Sequence, residues 1–287
     1  MTICPLSIIV VTHNHANYIY TCLRALLPQA KALGAEVIVV DNRSADASAQ
    51  IAAGFAGVRL LTAPQRQGFA ANSNTGMAVA QGRYLLLLNP DTEVLPGALA
   101  ALVAFMDAHP TVGLCGAQLL YPDGTVQPSA RRFPTPLAAL VRRTPLRVFL
   151  RSSTANRRHL MLDDDLNAAR PVDWLLGACM CVRRAALDRV GPLDEGYFLY
   201  VEDIDWARRM HQGGWQVYYV PQAQIKHHHL AVSDRRFLSR RTLIHTASMW
   251  RYARKFWLRW LPGLGLQGYE ATAWHATLLH NTASGDI

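Results

Sequence analysis

The chain has 287 residues, 51% of them hydrophobic and 17% charged, and its 29 Lys and Arg against 20 Asp and Glu leave a net charge of +9. That length and apolar content exclude a disordered chain and a disulfide-stapled miniprotein, and suffice for one large domain or a domain with an appendage. The basic excess predicts an anionic partner such as a nucleotide, phospholipid headgroups or nucleic acid, without choosing among them.

In chain order, the apolar run over residues 7–12 predicts a buried strand, and residues 18–27 an amphipathic helix. A second strand is expected over 36–41, an alanine-rich helix from about Ala45, a third strand over 58–62, and a helix over 69–80 entered through Gly68. Then comes Tyr84-Leu85-Leu86-Leu87-Leu88, which reads as a strand buried on both faces in the middle of a parallel sheet. A helix is expected from Pro96 to about His109, and a loop-rich excursion over 122–162. Residues 174–182 predict a short strand, 203–212 a helix closed by Gly213-Gly214, 215–220 a last strand, and the tail from Asp234 one or two helices. Strands alternating with helices imply a mainly parallel central sheet flanked by helices, an α/β fold.

Three early strands end in polar residues: Thr12-His13-Asn14, Asp41-Asn42-Arg43-Ser44 and Asn89-Pro90-Asp91. In a parallel sheet these ends share one edge, where ligands bind. Pro90 ends the ladder, so Asp91 is presented just beyond it, where a carboxylate suits a divalent cation on a diphosphate. Asp41 can accept hydrogen bonds from a base or ribose, Thr12 and Asn14 can line the same slot, Gly68 permits close backbone approach, and Asn72 reaches back. Taken singly, each is equally a cap or a turn residue. No G-x-G-x-x-G follows the first strand and no P-loop motif occurs, which disfavours a dinucleotide reductase or a P-loop phosphotransferase.

A second acidic focus is Glu202-Asp203-Ile204-Asp205. First-turn carboxylates suit a helix macrodipole, and Asp205 with Arg209 reads as a surface pair. Glu202 and Asp203 point in different directions, so one can face a cleft as a proton acceptor while the other orients it. Trp174, Tyr197, Phe198 and Tyr200 offer a stacking wall for a sugar ring. Of His227, His228 and His229, one imidazole can complete an oxygen-rich metal site with Asp91; a solvated loop is the alternative.

The chain resembles the family 2 glycosyltransferases of the GT-A fold, in their rhamnosyltransferase-like branch. The likeness runs from Ser7 to about Ser233. Its landmarks are Val10-Val11-Thr12-His13-Asn14, Val40-Asp41-Asn42-Arg43-Ser44, Gly68-Phe69-Ala70-Ala71-Asn72, Leu88-Asn89-Pro90-Asp91, Trp174-Leu175-Leu176-Gly177-Ala178, Tyr200-Val201-Glu202-Asp203 and Ile225-Lys226-His227-His228. The resemblance implies inverting transfer from a nucleoside-diphosphate sugar, with L-rhamnose from a deoxythymidine diphosphate donor favoured. It implies that Asp41 holds the nucleoside and that Asp91, best joined by His227, binds Mg²⁺ or Mn²⁺. It also implies that Asp203 is the base and that Gly177 and Ala178 line the sugar and acceptor pocket, beside Trp174 and Glu202. Two departures stand out: Asn-Pro-Asp replaces Asp-x-Asp, and His229-Leu230-Ala231-Val232-Ser233 replaces a glycine-rich turn.

Arginines crowd residues 124–162, and in 235–269 they interleave with Trp250, Tyr252, Phe256, Trp257 and Trp260. The second run reads as a helix lying on an anionic membrane, as one binding nucleic acid, or as one packed on the domain. With a lipid-diphosphate-linked acceptor the membrane is favoured and no nucleic acid is expected. Five cysteines without zinc or redox spacing suggest a reducing compartment. No signal peptide and no apolar run of about 20 residues is evident, so a cytoplasmic protein, peripheral on the inner face of the membrane, is expected. The expected organisation is a glycosyltransferase domain over 1–232, with a nucleotide-binding half (1–120) and an acceptor-binding half (121–232), followed by a basic aromatic helical appendage over 233–287. A non-catalytic sugar-nucleotide or glycan-binding module on the same fold is the alternative.

Overall fold

Alternating strands and helices build the first third of the protein, as the periodicity predicts. The computed structural model describes residues 4–136, 153–228 and 239–258. Expectations for His229 and for the basic runs within 137–152, 229–238 and 259–287 lie outside the described residues. Strands β1 (Leu6–Thr12), β2 (Glu36–Asp41), β3 (Val58–Thr62) and β4 (Tyr84–Leu88) pair in parallel in the order β3-β2-β1-β4. Helices α1 (Ala16–Leu33), α2 (Ser48–Ala53) and α3 (Phe69–Val79) make the crossovers.

Helix α1 runs six residues past the expected end, through Pro28, and stops at Gly34 in the left-handed region (φ 65°). Leu26 and Ala30 are both buried on its inner face, so packing carries the helix across the proline. Strand β4 is buried along its whole length. Its leucines alternate between two cores: Leu86 and Leu88 pack with α1 and with α4 (Ala98–Ala108), while Leu85 and Leu87 pack with α3 and the later helices. Each such leucine contributes about 1.5–3 kcal/mol by burial.

The second half adds strands that the sequence pattern hid. β5 (Thr92–Val94) follows the Asn-Pro-Asp turn, and β6 (Val112–Leu120) is buried at all nine positions. Two glycines, an alanine and a glutamine mask β6 as a strand. A Cβ at Gly116 would lie 2.7 Å from the Cys179 carbonyl oxygen, and one at Gly113 2.7 Å from Cβ of Trp215, so this strand needs its glycines for close packing. Two short strands, β7 (Val126–Gln127) and β8 (Ala130–Arg131), and helix α5 (Thr154–His159) occupy the described part of the excursion. The single strand expected over 174–182 is two, β10 (Trp174–Leu175) and β11 (Cys179–Arg183), after a short β9 (Arg170–Pro171).

Strand β11 inserts antiparallel between β4 and β6, and β12 (Gln216–His227) runs parallel to β6. The sheet is therefore mixed, ordered β3-β2-β1-β4-β11-β6-β12-β5. β12 extends seven residues beyond the expected end because a register shift between Val220 and Gln224 accommodates Pro221. Helices α6 (Arg184–Val190) and α7 (Glu202–Gln212) cover the second face. Helix α8 (Arg240–Tyr252), ending in a π-type turn (Ala253–Trp257), packs onto the same core through Tyr252, Phe256 and Trp257. Among the described residues no helix is long and apolar enough to cross a membrane. The five cysteines are all thiols, and four of them are buried.

Candidate active site

The parallel register of β1, β2 and β4 brings their three polar ends to one edge, next to the β1/β4 switch point where strand order reverses. A cleft of about 550 Å³ opens there, a size suited to a small-molecule ligand. Its walls carry Val11, His13 and Asn42 from the first two strand ends and Asn89, Pro90 and Asp91 from the third. Thr12 and Asp41 are register partners beneath the cleft, and both are buried. Asp41 Oδ2 accepts from the Ser44 N–H (3.1 Å), whereas Asp41 Oδ1 and Thr12 Oγ1 have no hydrogen-bond partner among the described residues. Buried polar atoms left in that condition suit a ligand that supplies the partner.

Asn14 does something other than line the slot. Its backbone is left-handed (φ 59°), its Oδ1 accepts from the Ala45 N–H (2.7 Å), and its own N–H donates to Ser44 Oγ (3.0 Å), so it splices the first two strand ends together. Gly68 likewise serves a neighbouring loop: a Cβ there would lie 2.7 Å from the Phe198 carbonyl oxygen. Asn72 is fully buried and donates to the Gly68 carbonyl (2.8 Å). The cleft wall between them comes from Arg66, Gln67 and Phe69, with Gln67 locked to Asn42 by reciprocal hydrogen bonds of 2.8 and 2.9 Å. Period-2 alternation along the strand ends is the signal that could have picked His13 and Asn42; nothing in the sequence singles out Arg66.

Asp91 and His227 do meet: His227 Nε2 lies 3.4 Å from Asp91 Oδ1. Strand alternation separates the two described histidines, since His228 faces Glu93 instead (3.6 Å), with the Tyr18 ring tilted against it at 6.2 Å. Gln127 Oε1 sits 2.9 Å from His227 Nδ1, which orients the ring with Nε2 toward the carboxylate. Burial alone would raise the Asp91 carboxyl, but the hydrogen bond and charge of His227 bring it below its ordinary value. Among the described residues no three His, Cys, Asp or Glu side chains converge. One carboxylate and one oriented imidazole fit a divalent cation that takes its remaining ligands from substrate phosphates and water.

The second corner is the start of α7. Tyr200 (φ 69°) and Val201 (φ 74°) are both left-handed, a costly conformation for a β-branched residue and one concentrated at functional sites. This strained turn places Asp203 so that its Oδ2 accepts from the Gly177 N–H (3.1 Å) and its Oδ1 from the Ile204 N–H (2.8 Å). Burial pushes Asp203 up to about 6, against the lowering effect of those two N–H groups and the Arg131 charge. Burial, with the Asp203 charge second, pushes Glu202 up to about 8, which favours its neutral form.

The two corners are joined through the backbone. The Asn89 N–H donates to the Ala178 carbonyl (3.0 Å), and the adjoining Gly177 N–H donates to Asp203. The break between β10 and β11 is what frees Gly177 and Ala178 for this bridge.

Three expectations need correction. Trp174 is buried, with its Nε1–H donating to the Arg132 carbonyl (2.9 Å) and Arg131 over its ring, so it supports the site from below. Tyr197 is fully buried with its hydroxyl 3.3 Å from Asp205, which leaves Phe198 as the aromatic of the expected wall that lines the cleft. Asp205 and Arg209 are no surface pair: both are buried at 2.7 Å, because α7 turns this face toward α6 and α8.

Residues 7–170 match the family described as Glycosyl transferase family 2. The chain is similar to N-acetylglucosaminyl-diphospho-decaprenol L-rhamnosyltransferase of Mycobacterium tuberculosis, at 32% identity covering 78% of this chain and 76% of that protein. It is also similar to rhamnosyltransferase WbbL of Escherichia coli K12, at 30% identity covering 86% and 92%. Among solved structures it resembles GalNAc-T7 with UDP, GalNAc and Mn²⁺ (TM-score 0.58, 17% identity, 79% of this chain and 44% of that one). It resembles the Pyrobaculum calidifontis mannosyltransferase PcManGT with GDP-Man and Mn²⁺ as well (TM-score 0.53, 18% identity, 100% and 77%).

Proposed function

The chain belongs to glycosyl transferase family 2, and we propose that it moves a sugar, with inversion, from a nucleoside-diphosphate donor to a hydroxyl of a lipid-linked saccharide. Its fold is of the GT-A type. The observation that carries the proposal is the backbone bridge Asn89–Ala178–Gly177–Asp203, which ties the cleft-lining turn of Asp91, itself paired with His227, to the buried carboxylate of Asp203 behind the cleft wall. Thr12 and Asp41 would take the nucleoside with their unpartnered oxygens. Rhamnose as the sugar is supported by both relatives' names and a lipid-diphosphate acceptor by the first, and a deoxythymidine diphosphate donor is our proposal for the nucleotide that carries it.

In the proposed step the acceptor O–H gives its proton to Asp203 and its oxygen bonds to the anomeric carbon from the face opposite the phosphate. The bond from that carbon to the diphosphate oxygen breaks, and its electron pair leaves with the nucleoside diphosphate. Asp91 and His227 would hold Mg²⁺ or Mn²⁺, which would supply charge stabilisation for that leaving group. The protein's own part is to orient Asp203 through two backbone N–H groups and to bury it, which raises its basicity. The exposed Leu243 and Trp250, one face of α8, would rest on the membrane that carries the acceptor.

Because Asp203 acts as the base only when ionised, kcat/KM should rise as pH increases through about 6 and level off above it. A flat profile between pH 5 and 7 at saturating metal would contradict the assignment. The broader test incubates the full chain with a panel of nucleoside-diphosphate sugars and a lipid-diphosphate saccharide. Product should form with Mg²⁺ or Mn²⁺, stop with EDTA and return when the metal is restored. Nucleotide binding without turnover of any donor would instead mark a non-catalytic binding module.

A further inference from the structure

We propose that Arg240 and Arg241, on the first turn of α8, clamp the diphosphate of the donor and stay with it as it becomes the leaving group. The inference rests on the donor reading above and adds to it a pair of binding residues from outside the region matched by the family.

Both arginines line the cleft on the side facing the strand ends, together with Ile244 one turn on. Both are exposed, and neither has a carboxylate partner among the described residues. Their position makes no sense for the helix itself. The N-terminal turn of a helix favours acidic side chains, yet α8 has none there and begins with two cations behind its Ser239 cap. A role outside the helix accounts for that choice.

The charge of the cleft agrees. Among the described residues Arg66, Arg240 and Arg241 line it against a single carboxylate, Asp91. His15, also on the wall, is held below its ordinary pKa by burial. Such a site suits a polyanion, and it suits the departing nucleoside diphosphate better than the intact donor, because breaking the glycosidic bond adds negative charge to the diphosphate.

The helix that carries the pair is held rigidly to the turn that leads into Asp203. Ser248 Oγ donates to the Leu199 carbonyl (2.9 Å), the His245 ring lies 5.7 Å from that of Tyr200, and Arg251 pairs with Asp194 (2.8 Å). Phe198 and Leu199 of that turn also line the cleft, and the Phe198 carbonyl accepts from the Phe69 N–H (2.9 Å). The basic turn of α8 is thus fixed relative to both the donor wall and the base, as a pre-organised binding group requires.

The test is calorimetric titration of the full chain, with Mg²⁺ present, using dTDP, UDP and GDP and the matching nucleosides. Wild type should bind at least one diphosphate more tightly than its nucleoside. The Arg240→Gln/Arg241→Gln variant should bind that diphosphate about 10- to 100-fold more weakly while its nucleoside affinity and Tm are unchanged. Arg240→Lys/Arg241→Lys, which keeps the charge and loses the planar fork, should recover part of the loss. Equal diphosphate binding by wild type and the Gln variant overturns the inference and leaves the donor reading standing. A defect confined to KM for the lipid-diphosphate acceptor also overturns it, by placing the arginines on the acceptor. Wild type that binds none of the three diphosphates overturns the donor reading and this inference with it.

Discussion

Replacing Asp203 with Asn should lower sugar transfer by about 10²- to 10⁴-fold, the usual worth of a positioned proton acceptor, while nucleoside diphosphate binding is kept. Asn matches the carboxylate in shape, so the cleft and the Asp91–His227 corner, which Asp203 does not touch directly, remain in place. Only the capacity to accept a proton is removed. Transfer at the wild-type rate would show that another group is the base. The fold should register the same change in the opposite sense. Burial raises the Asp203 pKa above its ordinary value of 3.8 to about 6 in the folded protein. The folded state therefore holds this proton more tightly than the unfolded one, and wild-type stability falls as pH rises between those values. Asn carries no such penalty, although its amide N–H₂ must face one of the two backbone donors now bound by the carboxylate. The Tm of Asp203→Asn relative to wild type should therefore climb as pH is raised from 4 to 6.5, whatever its offset.

The strand ends were legible because their chemistry is local. Four leucines stopped by Asn-Pro-Asp identify a central strand and its carboxylate, and the register of β1, β2 and β4 places them as periodicity implies. His227 could be set apart from His228 only once β12 was seen to continue past Pro221, since the bulge decides which ring faces Asp91. What stayed hidden depends on distant partners. β6 is a strand because it pairs with β11 and β12, and it carries glycines because Trp215 and Cys179 leave no room for side chains at Gly113 and Gly116, constraints that no window of its own sequence reveals. The partners of Gly68 and Asn14 were hidden for a similar reason: their turn chemistry was plain, but the partner each one serves lies 30 or more residues away. The tail was read from composition as a membrane-facing helix. Composition cannot say which arginines turn inward, and Arg251, Lys255, Tyr252, Phe256 and Trp257 are drawn to the core by two carboxylates and a hydrophobic cluster.

Those carboxylates make Lys255 the position where a single substitution should cost the fold most. Its ammonium lies 2.9 Å from Asp194 and 2.6 Å from Asp205, with the three side chains between 0 and 5% exposed. Arg209 balances the other oxygen of Asp205 (2.7 Å) and donates to the carbonyls of Val190 and Pro192, while Arg251 reaches Asp194 from a more exposed position. Lys255→Met keeps much of the aliphatic stem but leaves two buried carboxylates with one cation fewer. Breaking a buried pair in this way costs about 3–5 kcal/mol, against about 1 kcal/mol or less for an exposed one. Urea denaturation should show the large loss for Lys255→Met and a smaller one for Arg251→Met, whose side chain is 35% exposed. The acid limb should move as well. Burial tends to raise Asp194, but Lys255 and Arg251 together hold it below its ordinary value. In wild type the stability this confers is present above the ordinary carboxylate range and is lost as pH falls through the depressed value. Without Lys255 the Asp194 pKa rises toward its unfolded value, so acid removes less stability from the variant, and the deficit of Lys255→Met against wild type should shrink as pH falls through the carboxylate range. A deficit that stays constant with pH would mean that Lys255 does not hold the charge of Asp194, and that Arg251 and Ser248 supply the polar fastening of α8 to the turn before Asp203.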